Sequence, residues 1–278
     1  MMSTPLCTTD LHLHTNLSFC APKTTVAASY LPLCAGEGIR TVGISNHLYA
    51  AEKNGIDGVS YLDYALRIKD EITALRPTTD VRLLVGCEVE TFPGQGPGLH
   101  PADAHHFDYV LLAPSHMFNQ IYWYRDIDLS DADKVRTVML ERFRYACMLD
   151  YGVPTGICHP LYPICCPWEQ EVVDGITDEE LSDCFTLAKQ TKKSIEIHAC
   201  LWRQGTALDG EGLSPSYLRI LSAAKAAGCK FHFGSDAHAP EAFAGVHAKL
   251  ERAAERIGVG KEDLWEVIAR TIQPASLQ

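Results

Sequence analysis

His12 and His14, in the stretch "TTDLHLHTN", are the first residues of this chain able to do chemistry together. In a strand, a spacing of two turns both imidazoles to one face. Asp10 shares that parity and is expected beneath them, accepting an imidazole N–H. Similar residues recur at the ends of later apolar runs. His47 closes "RTVGISNH", Glu88 and Glu90 close "VRLLVGCEVE", His116 follows "YVLLAPS" and His159 follows "PTGIC". Glu196 and His198 lie in "SIEIHA", and Asp236 and His238 follow "KFHFGS". Imidazoles mixed with carboxylates make donor sets suited to Zn, Mn or Fe. A single strand histidine is more often a satisfied core or surface group. Seven strand ends that all carry ligand-type residues, in a chain with 12 histidines, argue instead for convergence on one centre.

Such convergence needs elements that bring the strand ends together. Amphipathic stretches separate the apolar runs, among them "SYLDYALRIKDEITALR", "DADKVRTVMLERFRYACMLDYG" and "TDEELSDCFTLAKQTKK". Thr177 with Glu180 forms a capping-box pattern, and Ser214-Pro215 places a cap before a first-turn proline. Gly228 and Gly258 stand where helices should stop. Repeating βα units imply a parallel sheet covered by helices, and seven of them favour a barrel, or a distorted one. All strands of a parallel barrel present their C-terminal ends to one face, where such folds assemble active sites. The expectation is a single α/β domain over 1–278, with its core in 8–258 and a last helix over 261–270. The long irregular segments 91–106 and 120–129 are expected to be functional loops. His232 is expected in the core, His247 exposed on a helix, and His100, His105 and His106 in a solvated loop.

Bulk composition is that of an ordinary globular domain, 46% hydrophobic and 21% charged over 278 residues. The formal net charge of −11 disfavours nucleic acid as a partner, and an anionic substrate would need strong local positive charge. No stretch reads as a signal peptide or a membrane span, so the expected location is cytoplasmic with no membrane partner. The 11 cysteines are scattered and expected to be reduced, with Cys147, Cys165, Cys166 and Cys184 as packing residues.

In order, "DLHLHT", "ISNHLY", "GCEVE", "PSHMF", "CHPLYP", "IEIHA" and "GSDAHAP" resemble the motif series of the PHP family, named for polymerase and histidinol phosphatase. The similarity spans Asp10 to about Pro240. The segment from "IEIHACLWRQG" to "GSDAH" is most similar to the histidinol-phosphatase branch. The resemblance implies a distorted (β/α)7 TIM-like barrel holding two or three divalent ions. By the same resemblance one ion takes His12, His14, Glu88 and Asp236, with Glu88 bridging to a second on His116 and His159. A third uses His47 and His238. Three positions depart from the pattern: Cys20 stands where the branch supplies another histidine to that third ion, Asn46 replaces an Asp, and His198 replaces an Asn. Cys20 could ligate as a thiolate, or the third site could be weak or empty.

The implied activity is hydrolysis of a small phosphorylated metabolite by in-line attack of a metal-bridging hydroxide, with histidinol phosphate the leading substrate. Arg203 would neutralise phosphoryl oxygens; His198 would bind substrate, protonate the leaving group or serve as a neutral hydrogen-bonding group, and His238 would protonate the leaving group only if not fully engaged as a ligand. Hydrolysis of another bond, a cyclic phosphodiester or an amide, is the alternative; a non-catalytic metal-bound scaffold is disfavoured by the nearly complete ligand set. Tyr122, Trp123, Tyr124 and Trp202 are candidate stacking residues, and Glu169 is a candidate partner for a substrate amine.

Overall fold

The computed structural model describes residues 5–49, 61–92, 96–117, 128–199 and 207–267. Nine strands share one sheet: β1 (Thr9–Leu13), β2 (Thr41–Ile44), β3 (His47–Leu48), β4 (Arg82–Phe92), β5 (Gly96–Pro97), β6 (Tyr109–Ala113), β7 (Thr155–Ile157), β8 (Ser194–His198) and β9 (Lys230–Gly234). Seven of them run parallel in the order β1-β2-β4-β6-β7-β8-β9, with β3 and β5 attached to β4. Every residue of β1, β2, β6 and β8 is buried, as expected for strands covered on both faces. The chain just after β9 brings the two ends of the sheet together. There the Asp236 N–H donates to the His12 carbonyl at 2.8 Å and the His14 N–H to the Ala237 carbonyl at 2.9 Å. The result is the nearly closed, distorted seven-stranded barrel anticipated from the motif series.

The described helices are α1 (Leu31–Glu37), α2 (Tyr61–Leu66), α3 (Ile68–Leu75), α4 (Ala132–Met148), α5 (Glu169–Gly175), α6 (Asp178–Gln190), α7 (Pro215–Ala227), α8 (Pro240–Phe243) and α9 (His247–Arg256). Helices α1 to α7 lie between the strands in sequence, and α8 and α9 follow β9. The capping box forms at α6, where the Glu180 N–H donates to the Thr177 hydroxyl and the Thr177 N–H to the Glu180 carboxylate. Ser214 caps α7, and Gly228 and Gly258 adopt φ values of 78° and 71° beyond their helices. Across the barrel interior, the Tyr109 ring lies over β2 and β4, and its hydroxyl donates to the Leu11 carbonyl at 2.6 Å. A Cβ at Gly43 or Gly86 would land inside that ring, so both positions need glycine for close approach. No helix among the described residues is long and apolar enough to cross a membrane.

Several expectations are corrected. Strand β4 does not end at Glu88 but continues to Phe92, because Glu90 keeps its register with Ala113 of β6 and Thr91 pairs with Pro97. His47 is not the end of β2; it opens β3, opposite Glu88. The segment 91–106 is not wholly irregular, since Pro101–His106 forms a 3-10 helix. Of the helix expected over 261–270, Lys261–Asp263 is a 3-10 turn, Glu266 and Val267 are helical, and 268–270 lie outside the described residues. A 3-10 turn at Lys261–Asp263 is followed by Leu264, which bridges to Phe231, and by the Trp265 N–H, which donates to the Phe231 carbonyl. Cys165 is exposed, unlike Cys147, Cys166 and Cys184. His247 is buried, not exposed, with carboxylates on both ring nitrogens.

His232 is a core residue, buried and paired through Nδ1 with the Ser194 hydroxyl at 2.9 Å. Burial holds its pKa down, at about 4. Below pH ~6.5 the unfolded chain takes up a proton here that the folded chain refuses. The neutral ring therefore supports the fold fully above that pH, and the support fades as pH falls toward 4. The loss is on the order of 3 kcal/mol. Urea titrations of wild type and His232→Asn should show a stability difference that shrinks by about that amount between pH 7 and 4. A constant difference would refute the assignment.

Candidate metal centre

Glu88 sits on β4, and its carboxylate lies in the middle of five imidazoles. Its Oε2 is 2.6 Å from His47 Nδ1, 3.4 Å from His14 Nε2 and 3.5 Å from His12 Nε2. Its Oε1 is 2.8 Å from His159 Nε2 and 3.6 Å from His116 Nε2. Asp236 enters from the turn after β9 in a left-handed conformation, φ 56°. Its Oδ1 reaches His14 Nε2 at 3.1 Å and His12 Nε2 at 3.5 Å, and its Oδ2 reaches His198 Nε2 at 3.5 Å. His159, at φ 31°, lies two residues beyond the end of β7. These left-handed residues turn side chains back over the barrel mouth where an extended backbone would carry them away.

The opposite edges of the rings are held by the protein. His12 Nδ1 meets Glu196 Oε1 at 2.8 Å, His14 Nδ1 the Ser18 hydroxyl at 3.0 Å, and His116 Nδ1 Glu90 Oε2 at 2.8 Å. His159 Nδ1 pairs with the Ser115 hydroxyl. Glu196 Oε2 also accepts the His159 N–H at 2.7 Å. Gly234 leaves room for this carboxylate, since a Cβ there would overlap Glu196. Asp10 is not the imidazole acceptor expected under His12 and His14. It accepts the backbone N–H groups of His12 and Ser235, and the ring it holds is His247.

His12 Nε2 and His14 Nε2 are buried with no partner in hydrogen-bonding geometry. Leaving such atoms unsatisfied is costly, and their lone pairs converge on two carboxylates. That is the donor set of a divalent-cation site. Three groups of side chains have ligand atoms close enough to share an ion: His12, Glu88, Cys158 and His159; His14, His47 and His238; and His12, His198 and Asp236. Burial alone would raise the carboxyl pKa of Glu88, but His47, His12 and His116 outweigh it and hold the group well below the usual range. Burial likewise opposes ionisation of Asp236, and His12 and His238 reverse that. Burial keeps His14 neutral and brings His159 down to about 4. Burial also disfavours charge on His12, His47 and His238, but Glu196 and Glu88 outweigh it at His12, Glu88 at His47 and Asp236 at His238, and raise all three; a cation bound here would have to displace those protons.

Cys20 stands beside this cluster, with its sulfur 3.0 Å from His238 Nε2. Burial pushes the thiol pKa up, but hydrogen bonds with His238 and His47 outweigh burial and bring it to about 6. The thiolate therefore dominates at neutral pH. His12, His14, Cys20, His47, Glu88, His116, His159, His198, Asp236 and His238 thus all gather at one mouth. Arg203, Trp202, Tyr122, Trp123 and Tyr124 lie outside the described residues. Glu169 opens α5 and accepts a hydrogen bond from the Tyr162 hydroxyl at 2.7 Å.

Residues not anticipated from the sequence include Cys158, Ser115 and Arg142. Cys158 Sγ lies 3.6 Å from Glu88 Oε1. Arg142 is fully buried in α4 and binds Glu90. Its signal was available, because Arg142 falls on the same helical stripe as Val135, Met139, Phe143 and Ala146.

No family model and no curated protein matches this sequence. Solved structures do match in fold. A histidinol phosphate phosphatase from Lactococcus lactis, in complex with Zn, L-histidinol and phosphate, superposes with a TM-score of 0.66 at 14% identity. The match covers 91% of this chain and 94% of that one. A Listeria monocytogenes protein assigned as a histidinol phosphatase superposes with a TM-score of 0.62 at 13% identity, covering 87% of this chain and 99% of the other. From Thr9 to its last described strand, the chain carries the barrel fold of these histidinol phosphatases.

Proposed function

We propose that the protein is a metal-dependent phosphoesterase acting on small phosphate monoesters, with histidinol phosphate the first substrate to test. The observation that carries this reading is Glu88, buried among five imidazoles while His12 Nε2 and His14 Nε2 face it unpartnered. In this reading His12, His14, Glu88 and Asp236 hold one ion. Glu88 with His116 and His159 would hold a second, and His47, His238 and Cys20 would hold a third. When bound, divalent ions supply Lewis acidity toward the phosphoryl oxygens and activate water at neutral pH.

The chain's own groups do the rest. Glu196 and Ser115 fix the ring orientations of His12 and His159, so their Nε2 atoms aim inward. His198 Nε2, beside Asp236, donates a proton to the departing alkoxide oxygen. Arg203 pairs its planar fork with the non-bridging oxygens. A histidinol phosphate phosphatase of similar fold from Lactococcus lactis holds Zn, L-histidinol and phosphate, the two products of such a hydrolysis, which supports this choice of first substrate.

The test is a panel of phosphate monoesters, cyclic phosphodiesters and amides on protein reconstituted with Zn, Mn or Fe. Phosphate release from monoesters, greatest for histidinol phosphate, is the expected result. Turnover of amides or cyclic diesters alone would overturn the reading. In parallel, Cys20→Ala should lower bound metal by about one equivalent, read by elemental analysis, because the third group would lose its thiolate. Unchanged stoichiometry would remove Cys20 from the ligand set.

A further inference from the structure

A buried polar chain runs from α9 to the ligand-bearing strands, and none of its members belongs to the proposed ligand set. His247 is 2% exposed and lies between two carboxylates, with Nε2 3.0 Å from Asp10 Oδ2 and Nδ1 3.1 Å from Glu37 Oε2. The Phe243 ring packs against its edge at 4.4 Å. Glu37, on α1, uses its other oxygen to accept the Gly245 N–H at 2.6 Å, which ties α1 to the start of α9. Asp10 is fully buried. Its Oδ1 accepts two backbone N–H groups at 3.1 Å each, from His12 and from Ser235.

Those two N–H groups belong to a ligand residue and to the neighbour of another. Ser235 precedes Asp236, whose left-handed backbone is not one that a non-glycine residue adopts without support. The Asp236 N–H returns to the His12 carbonyl at 2.8 Å, so Asp10 braces a small closed loop of backbone that joins two proposed ligands. Tyr30 reinforces the same junction, its hydroxyl 2.8 Å from the His14 carbonyl and 2.9 Å from the Ala237 carbonyl. A carboxylate can serve as such a brace only if its second oxygen is also held. Otherwise it is free to rotate and release one of the backbone donors. Both ring nitrogens of His247 face carboxylate oxygens, so one edge of the ring holds Asp10 and the other edge holds Glu37. The ring is itself sealed in the interior beside Phe243, which leaves it little freedom to turn away from either carboxylate.

We propose that His247 is a positioning residue: with Glu37 it locks the Asp10 carboxylate, which sets the spacing of His12 and Asp236 and so the affinity of the centre for its first divalent ion. The inference rests on the metal-centre reading. It goes beyond that reading by assigning a role to three residues that touch neither ion nor substrate.

The test is a competition titration of Zn against a chromophoric chelator, using the full-length metal-free protein. Outer partners of metal ligands typically set affinity by factors of ten or more, so His247→Leu should weaken the tightest ion about tenfold. His247→Gln restores one donor toward Asp10 and should recover most of that loss. Ile220→Ala, a buried change in α7 far along the chain, serves as the stability control and should leave metal affinity unchanged despite a lower melting temperature. Wild-type affinity in a folded His247→Leu overturns the proposal, as does an equal loss in Ile220→Ala. If His247→Leu does not fold, Glu37→Gln decides: about threefold weaker binding is expected, and no change overturns the proposal. A wild-type protein that takes up no metal would instead refute the metal centre itself.

Discussion

If the proposed phosphoesterase reading holds, Glu88→Gln is expected to abolish the proposed shared ion site and lower phosphate release by about 1000-fold or more, equivalent to roughly 4 kcal/mol of transition-state stabilisation. The side chain keeps its size, so packing around the five imidazoles is preserved. What changes is charge and donor chemistry. One oxygen becomes an NH2 group that cannot ligate a cation and that points its hydrogens at imidazole nitrogens. Both Glu88 oxygens are engaged in the native arrangement, Oε2 toward His47, His14 and His12, and Oε1 toward His159 and His116. A single substitution therefore damages two groups of ligands at once. Elemental analysis of the reconstituted variant should find at least one equivalent fewer than wild type. Full metal content together with near-native turnover would show that the bridge is not carried by Glu88.

Arg142→Leu should be the most destabilising single change outside the centre, at about 3–5 kcal/mol by urea denaturation. Arg142 donates from Nε to the Thr91 carbonyl at 2.9 Å and from Nη1 to the His116 carbonyl at 2.9 Å, while Nη2 binds Glu90. Removing it leaves the Glu90 carboxylate buried without its cation, which is worse than removing the pair. The double variant Arg142→Leu, Glu90→Leu should accordingly be more stable than Arg142→Leu alone. There is a functional cost as well. Glu90 Oε2 orients His116 through Nδ1, and Arg142 fixes the backbone carbonyl of the same residue. Arg142→Leu is thus expected to lose the ion proposed for His116 and His159 while retaining the one proposed for His12 and His14. Loss of no ion, or a double variant less stable than the single, would contradict this account.

Much of the centre was legible in one dimension because strand geometry is periodic. The spacing of His12 and His14 already dictates a common face, and a histidine or carboxylate at each apolar run's end implies a shared mouth once the strands are parallel. The cap residues Thr177 and Ser214 act within a single turn, so their effect needs no long-range information. Strand limits were less legible. Whether β4 stops at Glu88 or continues to Phe92 depends on partners in β6 and β5, which local preference does not encode.

His247 shows the limit most clearly. On α9 it falls on the same buried stripe as Leu250 and Ala254, a local hint of burial, but nothing local says which groups its ring nitrogens meet. It is buried because Asp10, 237 positions earlier, and Glu37, on another helix, present carboxylates where its ring arrives. The sequence by itself determined the ligand types, their alternation and the barrel that gathers them, since these follow from side-chain chemistry and from periods of two and 3.6. Tertiary structure alone decided which carboxylate serves which ring. Glu196 rather than Asp10 holds His12, and Asp10 holds His247. The physical reason is that a hydrogen bond needs its two groups within about 3 Å, and only the closed barrel sets distances between residues far apart in the chain.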